Sequence, residues 1–109
     1  MKISEQAFMT QIKSLAYLNG WMTHHSQPSL TRTGRYITTG AAGFPDLVLA
    51  HPQRGFILAE LKTEKGRVSE SQVAWLKACD PHVECYIWRP QDLPQITARL
   101  GRPIDRRSG

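Results

Sequence analysis

The sequence predicts an α/β protein in which a sheet lies between helices, and three observations carry that reading. Phe44 to Ala50 and Phe56 to Lys62 are runs apolar on both faces, as expected of central strands covered on each side. A third strand-like run, Val83 to Trp88, follows a segment with helical spacing and a capping signal at Ser69. The chain has 109 residues, 40% of them hydrophobic, which is enough for one core and leaves no room for a second.

In chain order, Ser4 can cap a helix whose apolar positions Phe8, Ile12, Leu15 and Ala16 follow a three-to-four spacing, and Asn19-Gly20 supplies residues that tolerate the left-handed turn ending it. Trp21 to His25 is a short strand. Ser26 to Gly43 is polar, with scattered apolar residues, and reads as a long loop or a poorly formed hairpin. The two apolar runs then flank His51-Pro52-Gln53-Arg54-Gly55, a turn by composition. Ser69 opens a helix through about Ala78, Asp80-Pro81 breaks it, and the Val83–Trp88 strand follows. Asp92 opens a last helix with Leu93, Ile96 and Leu100 on one stripe, closed by Gly101, and the tail after it should be loose. The order is α, β, β, β, α, β, α, and the expected organisation is one domain over residues 1–100 with a basic tail over 101–109.

The 14 Lys and Arg against nine Asp and Glu give a formal charge of +5, unevenly spread. Lys2, Lys13, Arg32 and Arg35 outweigh Glu5 in the first 42 residues, and Arg102, Arg106 and Arg107 outweigh Asp105 in the tail, while residues 43–100 are neutral. Basic flanks on a neutral body suit a polyanion such as nucleic acid, although a solvated surface accounts for the charge equally well. No stretch has the ~18–20 apolar residues of a membrane span. The N-terminus lacks an apolar signal core, so the expected location is cytoplasmic. Cys79 and Cys85 form no Cys-x-x-Cys pair and read as small buried hydrophobes.

The chemistry is concentrated in the central hairpin. If its strands pair about Gln53, Ala50 faces Phe56, Val48 faces Leu58 and Asp46 faces Glu60. Two carboxylates across a covered ladder repel unless a proton or a cation neutralises one. Lys62 lies two residues beyond Glu60, on the same face. Carboxylate oxygens suit Mg²⁺, which often takes one or two of them and completes its shell with water and phosphate. Such an ion would activate water at a phosphodiester, with Lys62 orienting the nucleophile or stabilising the anionic transition state. The structural alternative is an ion pair of Lys62 with Glu60 or Asp46 at a strand end, and a one-residue slip would turn Asp46 to the opposite face.

These residues resemble a known pattern. Gly43-Phe44-Pro45-Asp46-Leu47 followed by Glu60-Leu61-Lys62 is similar to the Pro-Asp…(Asp/Glu)-x-Lys signature of restriction-endonuclease-like nucleases. Glu5, Gly20-Trp21, His25, Thr63, Gly66, Ser69-x-x-Gln72-x-x-Trp75-Leu76 and Trp88-Arg89-Pro90 extend the likeness over about residues 4–100 to the VRR-NUC family, in particular its small stand-alone phage-type members. The resemblance implies an αβββαβ core with a mixed central sheet flanked by helices, and a Mg²⁺- or Mn²⁺-dependent endodeoxyribonuclease. It makes Asp46, Glu60 and the Leu61 carbonyl metal ligands, Lys62 the catalytic lysine, Gln72 a helix residue leaning into the site, and Glu5 an acid supporting a second metal or its waters. Gly43 becomes the small residue before the Pro-Asp turn, where backbone or DNA passes close. It also implies branched DNA or Holliday junctions as substrates, and a homodimer would suit symmetric cutting of two strands.

Each added residue also has a structural explanation. Glu5 suits the first turn of any helix, and Gln72 can complete a capping box with Ser69. His24 and His25 point to opposite faces of a strand, and only His25 is a candidate near the site; His51 and His82 lie in turns. Trp21, Trp75 and Trp88 can stack on bases but sit at core spacing. Arg32, Arg35, Tyr36, Lys65 and Arg67 are candidates for tracking a nucleic-acid backbone. The competing classes are a non-catalytic DNA-binding module that keeps the fold and a small metal-binding or interaction protein, but the first usually lacks one of the acidic or lysine positions present here.

Overall fold

The computed structural model describes residues 2–26, 29–30, 36–37 and 41–101. Arg32, Arg35 and the tail from Arg102 onward lie outside the described residues, and Tyr36 is placed through its backbone alone. Helix α1 spans Glu5–Leu18; its N-cap Ser4 accepts a hydrogen bond at Oγ from the Ala7 N–H at 3.0 Å. Phe8, Met9, Ile12 and Ala16 are buried. The Asn19 side chain donates to the Leu15 carbonyl at 2.8 Å, answering one acceptor that the helix end leaves open. Gly20, at φ +83°, turns the chain toward Trp21.

Strand β1 is Met22–His25, β2 Ser29–Leu30, β3 Tyr36–Ile37, β4 Leu47–His51, β5 Gly55–Leu61 and β6 Glu84–Trp88. The main sheet has the order β1-β4-β5-β6, with antiparallel β1/β4 and β4/β5 pairs and a parallel β5/β6 pair. It is the expected mixed sheet. The parallel pair requires a crossover, and helix α2, Glu70–Cys79, makes it. β2 and β3 pair antiparallel, so the polar segment holds a hairpin. Helix α3, Leu93–Leu100, follows a 3₁₀ turn at Pro90–Asp92, with Asp92 at its N-cap as expected.

The two sheet faces divide the work. Leu47, Leu49, Ile57, Ala59 and Leu61 pack with Phe8, Ile12, Ala16, Trp21, Trp88, Ile96 and Leu100 into the main core, under α1 and α3. Each fully buried Leu, Ile or Phe side chain among them contributes about 1.5–3 kcal/mol. Val48, Leu58 and Glu60 have the opposite parity and face α2, whose side chains are at most half-buried. Cys79 and Cys85 lie on this thinner side as half-buried free thiols, not in the core as expected. At the hairpin end, the Trp21 indole N–H donates to the Leu100 carbonyl at 3.0 Å, and Arg54 donates to the Leu100 and Arg99 carbonyls at 2.8 and 2.6 Å. Arg99 pairs with Glu84 at 2.7 Å, and the guanidinium carbons of Arg54 and Arg99 lie 5.7 and 5.1 Å from the Trp21 ring centre. That end of the sheet is closed by side chains serving the α3 terminus. The chemistry lies at the other end.

Candidate active site

The β4/β5 ladder runs Leu47 opposite Ala59, Val48 opposite Leu58, Leu49 opposite Ile57 and Ala50 opposite Phe56, so the expected register is the observed one. β4 begins at Leu47, three residues later than the apolar run suggested. Pro45 has no N–H to give a ladder, and Gly43 before it has φ +87°. One step past the ladder, the Asp46 N–H donates to Glu60 Oε1 at 3.2 Å, and Asp46 Oδ2 accepts from the Leu61 N–H at 3.0 Å. The Asp46 carbonyl also accepts from the Ser26 N–H at 3.0 Å, extending the β1/β4 contact. Asp46 is thus held by the ends of the two strands beside β4. The Lys62 N–H donates to the Trp88 carbonyl at 3.0 Å, which ties the residue after β5 to β6.

Glu60 is 1% exposed and is the one buried charged residue among the described ones. Burial first, and then the Asp46 carboxylate beside it, raise its pKa from 4.5 to about 8; the Lys62 charge opposes the rise. Gln72 completes the site from α2. Its Oε1 accepts from the Ser69 N–H at 2.8 Å, and its Nε2 donates to Glu60 Oε2 at 2.6 Å. Gln72 thus completes the capping box with one end of its amide and contacts Glu60 with the other. Because the backbone N–H of Ser69 requires an acceptor, the capping box fixes which end of the amide faces Glu60.

The segment before Asp46 is docked on the same helix. Phe44 meets Trp75 edge-on, with ring centres 5.1 Å apart. A Cβ on Gly43 would lie 2.5 Å from the Ser71 carbonyl carbon, so what passes close to Gly43 here is the first turn of α2. Gly43→Ala meets both that clash and a left-handed backbone, and should cost about 1–3 kcal/mol, measured as a lower urea midpoint at unchanged slope.

Glu5 is exposed in the first turn of α1. No cluster of three or more His, Cys, Asp or Glu side chains able to hold a metal occurs among the described residues, so no third acid, Glu5 included, joins Asp46 and Glu60 in such a cluster. Two carboxylates do not make a zinc site or a calcium cage, but they match the donor set of Mg²⁺ or Mn²⁺, which leaves coordination positions to water and phosphate. The protonation forced on Glu60 supports the fit: this pair cannot stay doubly ionised cheaply without added positive charge.

His25 is half-buried on the α1 side, and burial together with Lys13 lowers its pKa while Asp46 opposes the fall. His24 and His82 are exposed, and His51 packs edge-on to Trp21 with ring centres 5.3 Å apart. Trp21 and Trp88 are core residues at 4% exposure. Lys65 and Arg67 are exposed on the segment that follows Lys62. Sequence reasoning placed Arg89 in the Trp88-Arg89-Pro90 motif but gave it no role; its guanidinium reaches back to that segment, and its partners there are backbone carbonyls, which leave no mark in a sequence.

A mixed sheet with flanking helices, carrying two acids and a lysine at the mouth of its central hairpin, is compatible with a restriction-endonuclease-like nuclease core. The family model described as the VRR-NUC domain matches residues 18–89, well over half of the chain, and the chain belongs to the VRR-NUC family of nucleases. No curated protein and no solved structure gives a significant match. No helix among the described residues is long and apolar enough to cross a membrane.

Proposed function

We propose that the chain is a divalent-metal-dependent endodeoxyribonuclease whose site is Asp46, Glu60 and Lys62. The observation that carries the proposal is the direct contact of Asp46 with a Glu60 carboxyl buried to 1% exposure, with the Lys62 charge beside them. Such an arrangement weakens the fold unless something is gained from binding. Asp46 and Glu60 would hold Mg²⁺ or Mn²⁺, with the Leu61 carbonyl as a further ligand and Glu5 acting through water. The ion supplies charge neutralisation at the scissile phosphate and lowers the pKa of water.

The protein's own residues do the rest. The Leu61 N–H holds one Asp46 oxygen, and the Asp46 N–H and the Gln72 amide hold the two of Glu60, so the two acids meet the ligand in one geometry. Lys62 gives an ammonium on the same face, where it orients the attacking water or takes charge developing on a phosphoryl oxygen. Lys65 and Arg67, with Arg32, Arg35 and Tyr36, would follow the DNA backbone. Branched DNA as the substrate brings a dimer with it, since one site per chain cuts one strand.

The test is cleavage of linear duplex, single-stranded, flap and four-way DNA in Mg²⁺, Mn²⁺ or EDTA by the wild type, Asp46→Ala and Lys62→Ala. Metal-dependent products from the wild type, reduced roughly 10²–10³-fold or more in both variants, are expected. Binding without product on every substrate would leave a DNA-binding module in place of the enzyme. Equal cutting by all three proteins would move the site elsewhere.

A further inference from the structure

We infer that Arg89 is a positioning residue for the nuclease site: it gathers the turn that follows Lys62 and so sets how Lys62 and Lys65 meet the DNA backbone. Its Nη1 donates to the Thr63 and Gly66 carbonyls, both at 2.8 Å, with the Glu64 carbonyl at 3.4 Å. Three carbonyls of one four-residue turn converge on one guanidinium nitrogen. Carbonyls so arranged repel one another, and a cation at their focus lets the turn close.

The clamp itself is anchored. The Arg89 N–H donates to Asp92 Oδ2 at 2.9 Å, which joins it to the 3₁₀ turn before α3. The preceding residue, Trp88, is 4% exposed and accepts from the Lys62 N–H at 3.0 Å. One dipeptide at the end of β6 thus grips both the Lys62 backbone and the turn beyond it. The turn closes on itself through the Gly66 N–H, which donates to the Thr63 carbonyl at 3.3 Å. It also backs onto Lys62, since a Cβ on Gly66 would lie 2.9 Å from Thr63 Oγ1 and 3.6 Å from Lys62 Cδ.

Ordering this turn leaves its side chains facing outward. Thr63, Glu64 and Lys65 line a cleft of about 250 Å³ with Lys2, Ile3 and Pro90. Lys2, from the segment before α1, and Lys65 both line it and outnumber its one acid, Glu64, a placement suited to a phosphate neighbouring the one that is cut. Without the clamp, the turn would still carry the same charges, but over many geometries, and a group displaced by about 1 Å can lose roughly 10²-fold in rate.

The inference rests on the nuclease reading, and the test separates the two through a measurement that needs neither metal nor DNA. In Arg89→Gln, amide hydrogen exchange at Gly66 of the metal-free protein, whose N–H is held by the Thr63 carbonyl, should quicken about tenfold or more while Leu58 and Ala59 in β5 keep their protection. Mn²⁺ affinity should stay within about threefold of wild type, whereas kcat on cleavable DNA falls roughly 10–100-fold with KM little changed. Arg89→Lys, whose ammonium has three donors for the same carbonyls, should recover most of the kcat. If Arg89→Gln does not fold, Gly66→Ala disturbs the turn from its other side and should lower kcat in the same way. Unchanged exchange at the turn, unchanged kcat in the folded variant, or a loss of kcat only in step with lost Mn²⁺ affinity would each overturn the positioning role. A wild-type protein that cuts nothing overturns the nuclease reading, and the exchange measurement then still decides whether Arg89 holds the turn.

Discussion

Asp46→Asn should raise the melting temperature of the metal-free protein at pH 8 while removing cleavage. The Asp46 carboxylate is one of the causes that raise the Glu60 pKa to about 8, so in the absence of metal the two acids oppose each other when both are ionised. Asparagine relieves that opposition without leaving a polar group orphaned. Its Oδ1 can take the Leu61 N–H that Asp46 Oδ2 now holds at 3.0 Å, and its Nδ2 can donate to the Glu60 carboxylate. A gain of about 1 kcal/mol corresponds to roughly 4–8 °C in a domain of this size. Under the proposed function the same change removes the charge of a metal ligand, and kcat/KM should fall roughly 10²–10³-fold or more. A variant that melts lower than wild type, or one that cuts as fast, contradicts the assignment. Stability and activity moving in opposite directions would separate a functional acid pair from a structural one, since breaking a structural ion pair lowers stability.

How much of this site was legible depends on how local its causes are. The hairpin register followed from a turn centred on Gln53 and from strand parity, so Asp46 and Glu60 could be placed together before any coordinates. Gln72 was visible as a capping residue because Ser69 stands three positions before it, but its bond to Glu60 depends on how α2 lies over the sheet. The fit of Gly43 against Ser71 and the grip of Arg89 on the 63–66 turn join segments over 20 residues apart through backbone atoms, which every residue carries and which no composition signals. The strand edges were off for a related reason. Phe44 is as apolar as the strand that follows, but its ring is used against Trp75. The terminal caps of α3 by Arg54 and Trp21 are tertiary in the same way, and charge counting read Arg54 only as part of a neutral body.

If Asp46 and Glu60 hold the metal as proposed, its uptake near neutral pH should expel close to one proton per site, and the proton should come from Glu60. With a pKa raised to about 8, first by burial and then by Asp46, the free protein holds this carboxyl protonated at pH 6.5, whereas a metal ligand must be ionised. The affinity for Mn²⁺ should therefore climb about tenfold per pH unit from pH 6 toward 8 and level off above it. The fold shows the converse. A carboxyl whose folded pKa lies above its unfolded value of 4.5 binds more protons in the native state, so its stabilising contribution is complete below pH 4.5 and is lost as pH rises through about 8. The metal-free protein should accordingly weaken across that window, and saturating Mn²⁺ should reverse the trend, because only the ionised site binds. Calorimetric titration at pH 6.5 in buffers of different ionisation enthalpy counts the protons directly. A buffer-independent enthalpy would mean that none is released, and Glu60 would then not be a ligand. In Glu60→Gln the proton release should vanish together with the tight site, whereas Gln72→Ala should keep the release at weaker affinity, since it removes the donor to Glu60 Oε2 and leaves both carboxyls in place.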